Sequence, residues 1–334
     1  MSLKEYPWLS SALSRLPEEL PDAVLIHGQA GIGKQVLATT LAQSLLCNGS
    51  TETGLPCGQC GGCHLFEIGN HPDYRLIQPE SEAQEGEGGG IKAGKGKRPS
   101  TQIPVDAIRS LSSLVSNVAH AGGAKAIVIS PAESMHRSAS GALLKMLEEP
   151  GKDTHFILVA SEIRKILPTI SSRCFKLPVD MPSLDDATKW LKGRTSTYAD
   201  EALRLTSNAP LSALSLSAND EYWTCRQELM AAFGESSPDP LRLAAGVERL
   251  EPEVIGRLIG TLIYDLLSVK AGGDIRYNAD MEQTIKRTAR RVSGADLCHW
   301  SDEVRDYVRA ASHPLNKRLA LESLFAKWPP AASV

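Results

Sequence analysis

Up to about residue 178 the chain alternates short, nearly all-apolar runs with stretches of helical spacing. The runs Ala23 to Ile26, Tyr74 to Ile77, Ala126 to Ile129, His155 to Ala160 and Cys174 to Leu177 read as strands. Between them, Gln35 to Leu46, Pro104 to His120 and Ser138 to Glu149 read as helices. Continuously apolar strands separated by helices predict a parallel sheet covered on both faces, so this part is expected to be α/β. After Pro182 the strand-like runs stop. Leu184 to Lys192, Ala199 to Thr206 and Leu211 to Leu216 predict three short helices, and the chain from about 220 to 330 is helical throughout. There Ile255, Leu258, Ile259, Leu262, Ile263, Leu266 and Leu267 trace one face at three- and four-residue spacing. Core packing in a helical bundle accounts for that stripe without a cofactor or a membrane.

Length and composition sharpen this picture. The stretch from Glu80 to Ser100 carries Glu80, Glu82, Glu85 and Glu87, three consecutive glycines at 88 to 90, then Lys92, Lys95, Lys97 and Arg98. With one Ile and no aromatic residue it buries too little to offset its ordering entropy, so a mobile loop is expected, its basic half lying in solvent. The 334 residues are enough for two or three domains. Lys and Arg number 36 against 39 Asp and Glu, a formal charge of −3, so no bulk basic field marks a nucleic-acid binder and any basic patch must be local. No apolar run approaches the ~20 residues of a membrane span and the amino terminus lacks a signal-peptide core, so a cytoplasmic location is expected. In a reducing compartment the seven cysteines are expected to be free or metal-bound.

Four segments carry chemistry. Gly28-Gln-Ala-Gly31-Ile-Gly33-Lys34-Gln35 follows the first strand and opens a helix, the setting of a G-x-x-x-x-G-K phosphate-binding loop. Its glycines let backbone N–H groups close on phosphates and its lysine supplies a point charge. Gln35, however, stands where a working site has a Ser or Thr hydroxyl on Mg²⁺. The strand Ala126 to Ile129 is followed by Ser130 and Pro131, where an ATPase has the metal-holding Asp and often a Glu; Glu133 lies two residues too far on to be expected to substitute. Two readings therefore stand for the loop: a nucleotide site, or a loop that keeps its shape and holds no functional nucleotide. The second segment is Cys47-x9-Cys57-x2-Cys60-x2-Cys63, whose four thiolates at this spacing can wrap one tetrahedral Zn²⁺, with Gly58, Gly61 and Gly62 permitting the turns. A closed four-coordinate site is structural; a redox role and buried free thiols are the rivals, and His64 is expected to be a bystander. Third, Ser172-Arg173-Cys174 precedes the last strand, and on its own reads as a surface salt bridge. Fourth, Lys286 to Arg291 reads as a solvated basic helix face. Ordinary burial suffices for Cys225 and Cys298.

Taken together, Tyr6-Pro-Trp-Leu9, Gly28 to Lys34, the four cysteines, His71-Pro-Asp-Tyr74, Val105-Asp-Ala-Ile-Arg109, Ala142 to Pro150 and Ser172-Arg-Cys174 resemble the delta-prime subunits of bacterial DNA polymerase III clamp loaders. These are members of the AAA+ family related to the gamma and tau subunits. The resemblance is dense over about residues 6 to 216 and general beyond, where His313 to Leu319 and the apolar residues to Phe325 look like the family's closing helix. It implies an AAA+ P-loop parallel-sheet domain over 1–180, a small helical lid over 181–215 and an all-α collar over 216–334. It implies assembly with gamma/tau and delta subunits in a five-subunit ring, with the sliding clamp and primed DNA met through the complex. By the same resemblance Arg173, flanked by Ser172 and Cys174, acts in trans as an arginine finger on a neighbouring gamma/tau site, while Gly28, Gly31, Gly33 and Lys34 form a vestigial nucleotide loop. Leu211 stands where active relatives have a nucleotide-sensing Arg. A subunit without ATPase activity of its own is implied. The alternatives are a self-sufficient AAA+ ATPase of the gamma/tau type, in which unusual residues replace the missing ligands, and a zinc-dependent DNA-binding regulator.

Overall fold

The computed structural model describes residues 3–49, 54–82, 99–120, 123–195, 197–235, 238–311 and 316–329. The stretch expected to be a mobile loop, 80–100, lies outside the described residues from 83 to 98, as does His313 of the closing segment. Two compact units are present, Met1–Asp186 and Ala187–Val334.

The first unit is built on five strands, β1 (Ala23–His27), β2 (Tyr74–Ile77), β3 (Lys125–Ile129), β4 (Thr154–Ala160) and β5 (Phe175–Pro178). They pair in parallel in the order β2-β3-β4-β1-β5. Each expected strand is present, within a residue or so of its expected bounds. The helices are α1 (Ser10–Leu13), α2 (Lys34–Leu45), α3 (Gly61–Glu67), α4 (Val105–Arg109), α5 (Leu111–Ser116), α6 (Arg137–Glu148) and α7 (Pro168–Ser171). Because successive strand residues point to opposite faces, Leu25, Ile127, Ile129, Phe156 and Leu158 enter one core with α4 to α7, including Ile108, Leu111, Leu143 and Ile170. Their buried neighbours Val24, Ile26, Val128, Ile157 and Val159 lie on the other face, where α2 packs against β1, β3 and β4. Both faces are dry, as the continuous apolar runs require.

The single helix expected over 104–120 is instead two, α4 and α5. The two meet at Ser110, which keeps right-handed helical dihedrals and whose hydroxyl donates to the Ala107 carbonyl at 2.7 Å. The second piece stops at Ser116, and Lys125 explains how that end is kept. Its fully buried ammonium donates to Val115 O at 2.9 Å and Asn117 O at 2.7 Å, placing a cation on the negative end of α5.

The second unit has no strand among its described residues. Helix α8 (Leu184–Lys192) carries the boundary, followed by α9 (Ala199–Leu205), α10 (Pro210–Ser217), α11 (Asp220–Phe233), α12 (Pro240–Val247), α13 (Pro252–Lys270), α14 (Glu282–Arg291), α15 (Gly294–Ala310) and α16 (Lys317–Ala326). The stripe from Ile255 to Leu266 is buried on α13, which packs against α14 and α15. Asp265 on the same helix is also fully buried. It accepts from the backbone N–H groups of Arg276, Tyr277 and Asn278 and from the Asn278 amide, so its charge is met by four donors and fixes the turn before α14. The basic run on α14 divides. Lys286, Arg287 and Arg290 are exposed, whereas Arg291 turns back and donates to the Gly234 and Glu235 carbonyls at the end of α11. Cys225 is buried, but Cys298 is exposed, a correction to the burial expected for it. It sits one residue past the buried Leu297, a rotation of about 100° that turns it to the solvent side of α15.

Candidate functional site

The phosphate loop forms as the sequence requires. Gly31 and Gly33 adopt left-handed φ of 77° and 94°, and a Cβ on Gly28 would lie 2.5 Å from the Val179 carbonyl oxygen, so the chain turns sharply from β1 into α2. The Tyr6-Pro-Trp-Leu9 segment closes over it. Tyr6, Trp8 and Leu9 are buried, and the Trp8 indole N–H donates to the Ile32 carbonyl at 2.7 Å. That pairing joins two segments 24 residues apart that sequence alone left unconnected.

What the loop offers a ligand is limited by how its own groups are spent. The Lys34 ammonium is buried and donates to the Gln29 carbonyl at 2.5 Å and to Ser161 Oγ at 3.1 Å. Burial pushes it down to about 8, against the opposing pull of the Glu133 carboxylate. Burial, then Lys176 and Lys34, holds the neighbouring His27 below its ordinary value as well. Glu133 itself is turned to the end of β4, where its Oε1 accepts from the Ser161 N–H at 2.8 Å. Its other oxygen is buried without a hydrogen-bond partner among the described residues, as is Gln35 Oε1. Ser130, at the place of a metal-holding carboxylate, is buried, and its N–H donates to Ile77 O at 3.0 Å. The residues present do not fit a Mg²⁺ site: the loop has an amide where a hydroxyl ligand belongs, and the end of β3 has Ser and Pro in the places of the carboxylates.

The residue type of Ser161 carries no signal, and topology is what finds it. β4 lies beside β1 with Ala160 opposite His27, so the residue after β4 must stand next to the start of the loop.

The cysteines converge. Cys47 follows α2, Cys60 caps α3 and Cys63 lies within it; the four Sγ atoms are all within 4.8 Å of one another. The Cys47–Cys60 and Cys57–Cys63 sulfur separations are 3.8 and 4.0 Å. A tetrahedron with metal–sulfur bonds of ~2.3 Å has edges of about 3.8 Å, so the set fits one four-coordinate cation, whereas a disulfide would need ~2.05 Å. The backbone closes around the set: Cys57 N–H points to Cys47 Sγ at 3.3 Å and Cys63 N–H to Cys60 Sγ at 3.4 Å, the outer contacts that orient thiolate ligands. A Cβ at Gly49 would stand 2.8 Å from Cys57 Sγ. Cys60 is pulled down to about 6, chiefly by the Cys63 N–H, while burial pushes Cys63 up to about 12. His64 is exposed and outside the cluster, in keeping with a bystander. The cluster sits at the far end of the twelve-residue α2 from the loop, on the order of 18 Å along the helix, and is separate from the phosphate site.

Arg173 lies between α7 and β5. Its guanidinium donates through Nη1 to the Thr169 carbonyl at 3.1 Å and through Nη2 to Glu148 Oε1 at 2.8 Å. Cys174 is buried, which pushes its thiol up to about 11 and leaves it an unreactive anchor; Ser172 Oγ donates to Thr169 O at 3.1 Å. Position in the sheet matters more. Val24 pairs with Phe175 and His27 with Pro178 in parallel, so Arg173 stands at the level of the residues that enter β1 while the phosphate loop leaves its other end. At ~3.3 Å per residue the two lie on the order of 15–20 Å apart along the strands. The structure does not bring Arg173 to its own loop. Leu211 is on α10, in the second unit.

Two further stretches are brought together: Arg109 from α4 and Lys145, Met146 and Glu149 around the end of α6 line a groove of about 640 Å³ with Val115 and Ala142.

Comparison with known proteins supplies the family. The family model described as DNA polymerase III, delta subunit, matches residues 9–183. The DNA polymerase III subunit delta-prime of Pseudomonas aeruginosa is 35% identical over 97% of this chain and 97% of its own length. The subunit of the same name from Escherichia coli is 30% identical over 90% of each. Among solved structures, a DNA polymerase III gamma subunit-related protein of Thermotoga maritima aligns over 96% of this chain and 97% of that one, at 16% identity and a TM-score of 0.48. With a matched family model over half the chain and relatives of this identity over nearly all of it, the chain belongs to the DNA polymerase III delta-prime subunit family.

Proposed function

We propose that the chain is the non-hydrolysing delta-prime subunit of a clamp loader, which helps place a sliding clamp on primed DNA and lends Arg173 in trans to a neighbouring gamma/tau site. In this reading it assembles with gamma/tau and delta subunits in a ring of five, over three regions: an ATPase-like domain to 180, a lid to 215 and a collar beyond. DNA and clamp are met through the complex. The observation that carries it is the division of labour across one sheet. At one end stands a phosphate loop whose lysine is engaged by its own chain and whose metal ligands are missing. At the other end stands a half-exposed arginine out of reach of that loop.

Each residue then has a part. A planar guanidinium matches phosphate oxygens with paired N–H donors and spreads its charge over the developing negative charge of a transferring phosphoryl group. Ser172 and the buried Cys174 fix the backbone that carries it. Cys47, Cys57, Cys60 and Cys63 would hold zinc, which supplies a cross-link between the end of α2 and α3 and no chemistry at the phosphate site.

The competing reading, an ATPase complete in itself, is decided by titrating the isolated chain with Mg·ATP in a calorimeter while following phosphate release. Weak or absent binding without release is expected. Tight, Mg²⁺-dependent binding with turnover would replace the proposal by the gamma/tau-type alternative.

A further inference from the structure

We propose that Glu148 is the positioning residue for Arg173, holding the guanidinium tip in the pose from which it meets a neighbouring subunit's phosphate; this rests on the finger reading above. Glu148 is the last residue of α6, and its Oε1 takes one N–H of Arg173 Nη2 at 2.8 Å. The other arm is taken by Thr169 O at 3.1 Å. A guanidinium has five N–H donors, so these two bonds leave three for a phosphate. The backbone that carries the side chain is anchored by the buried Cys174 after it and the buried Ile170 one turn before it. Without Glu148 the flexible part is the three-carbon stem and its tip.

The next carboxylate along the chain sharpens the assignment. Glu149 leaves the helix axis and lines the groove with Arg109 and Lys145, whereas Glu148 turns to Arg173. The pair remains 40% and 46% exposed, so solvent screens it and its worth to folding is small. Its effect is therefore expected on a rate. An arginine that must search its rotamers at the moment of reaction spends freedom that a pre-oriented one has already given up. The finger acts on charge that develops in the transition state, so that loss should fall on kcat and leave the KM for ATP unchanged.

The test uses the loader reconstituted from gamma/tau, delta and this full chain, with DNA and clamp present, and compares wild type with Arg173→Ala, Glu148→Ala, Glu148→Gln and Glu148→Asp. Arg173→Ala is expected to lose the most turnover. Glu148→Ala should lower the hydrolysis rate at the gamma/tau site that Arg173 faces on the order of threefold to tenfold, at constant KM. Glu148→Gln keeps an acceptor oxygen at the same reach and should retain most of the wild-type rate. Glu148→Asp keeps the charge but is one methylene short, and should behave like Glu148→Ala; it carries the test if the alanine variant folds poorly. Melting of the isolated variants should match wild type, which separates positioning from stability. Wild-type or faster kcat in Glu148→Ala and Glu148→Asp, beside a slowed Arg173→Ala, would overturn the role of Glu148, as would a glutamine variant as slow as alanine. An unaffected Arg173→Ala would instead refute the finger reading itself.

Discussion

The phosphate loop and the cysteine module start from the same materials, glycine-permitted turns leading into a helix N-terminus, and end in opposite states. In the loop the cation is spoken for: Lys34 is engaged by Gln29 O and Ser161 Oγ, Trp8 closes over Ile32, and the metal-holding residue types are absent. In the module four thiols face one another within 4.8 Å, two of them met by the N–H groups of Cys57 and Cys63, an arrangement whose geometry fits a cation. An intact motif thus describes the backbone, and whether its polar groups are satisfied from within decides what a ligand can gain there.

The largest effect is expected at the cysteine module. Purified protein should contain about one zinc per chain, and Cys60→Ser should abolish it; with structural sites holding metal by an apparent 10–16 kcal/mol in finger peptides, hydrogen exchange across 47–67 should rise sharply on chelation. Metal content unmoved by the substitution would remove Cys60 from the ligand set. Next comes Lys34. Folding lowers it to about 8 from an ordinary 10.5, so between those values the unfolded chain binds the proton more tightly and the group's contribution to stability rises with pH. Wild type should therefore gain on Lys34→Met, by about 1–3 kcal/mol, as urea melts are taken from pH 7 to 10. A difference that stays flat with pH would mean that the ammonium is not buried. Gly28→Ala should cost about 1–3 kcal/mol, since the new Cβ meets Val179 O at 2.5 Å at a φ of 152°, showing that the loop's shape serves the fold even where it serves no nucleotide. Smallest is Gln35→Ser, which should leave the isolated chain without ATP hydrolysis because Ser130 and Pro131 still stand in the places of the carboxylates.

Much of this was legible in the sequence because the signals were local. Apolar runs fixed the five strands to within a residue or so, and C-x-x-C spacing announced four thiols at one place. What stayed hidden was non-local. The capping of α5 by Lys125 joins a strand to a helix that precedes it. Ser161 has no motif of its own, Glu133 lies off the carboxylate's expected place, and Glu148 sits in a resembling stretch that says nothing of its partner. They matter because the strand order and the α6–α7 packing bring them to Lys34 and Arg173. Cys298 departs from its expected burial for a simpler reason, because residue type favours burial for a free cysteine and only the phase of α15 says otherwise.

On the proposed reading this chain supplies a catalytic arginine without a catalytic site of its own. The most direct measurement is single-turnover ATP hydrolysis by the reconstituted loader carrying Arg173→Ala, with the isolated wild-type chain assayed beside it. The expected result is no hydrolysis by the isolated chain and a loss on the order of 10³-fold at the one gamma/tau site that the arginine faces. Hydrolysis at wild-type rate at every site of the Arg173→Ala complex would contradict it.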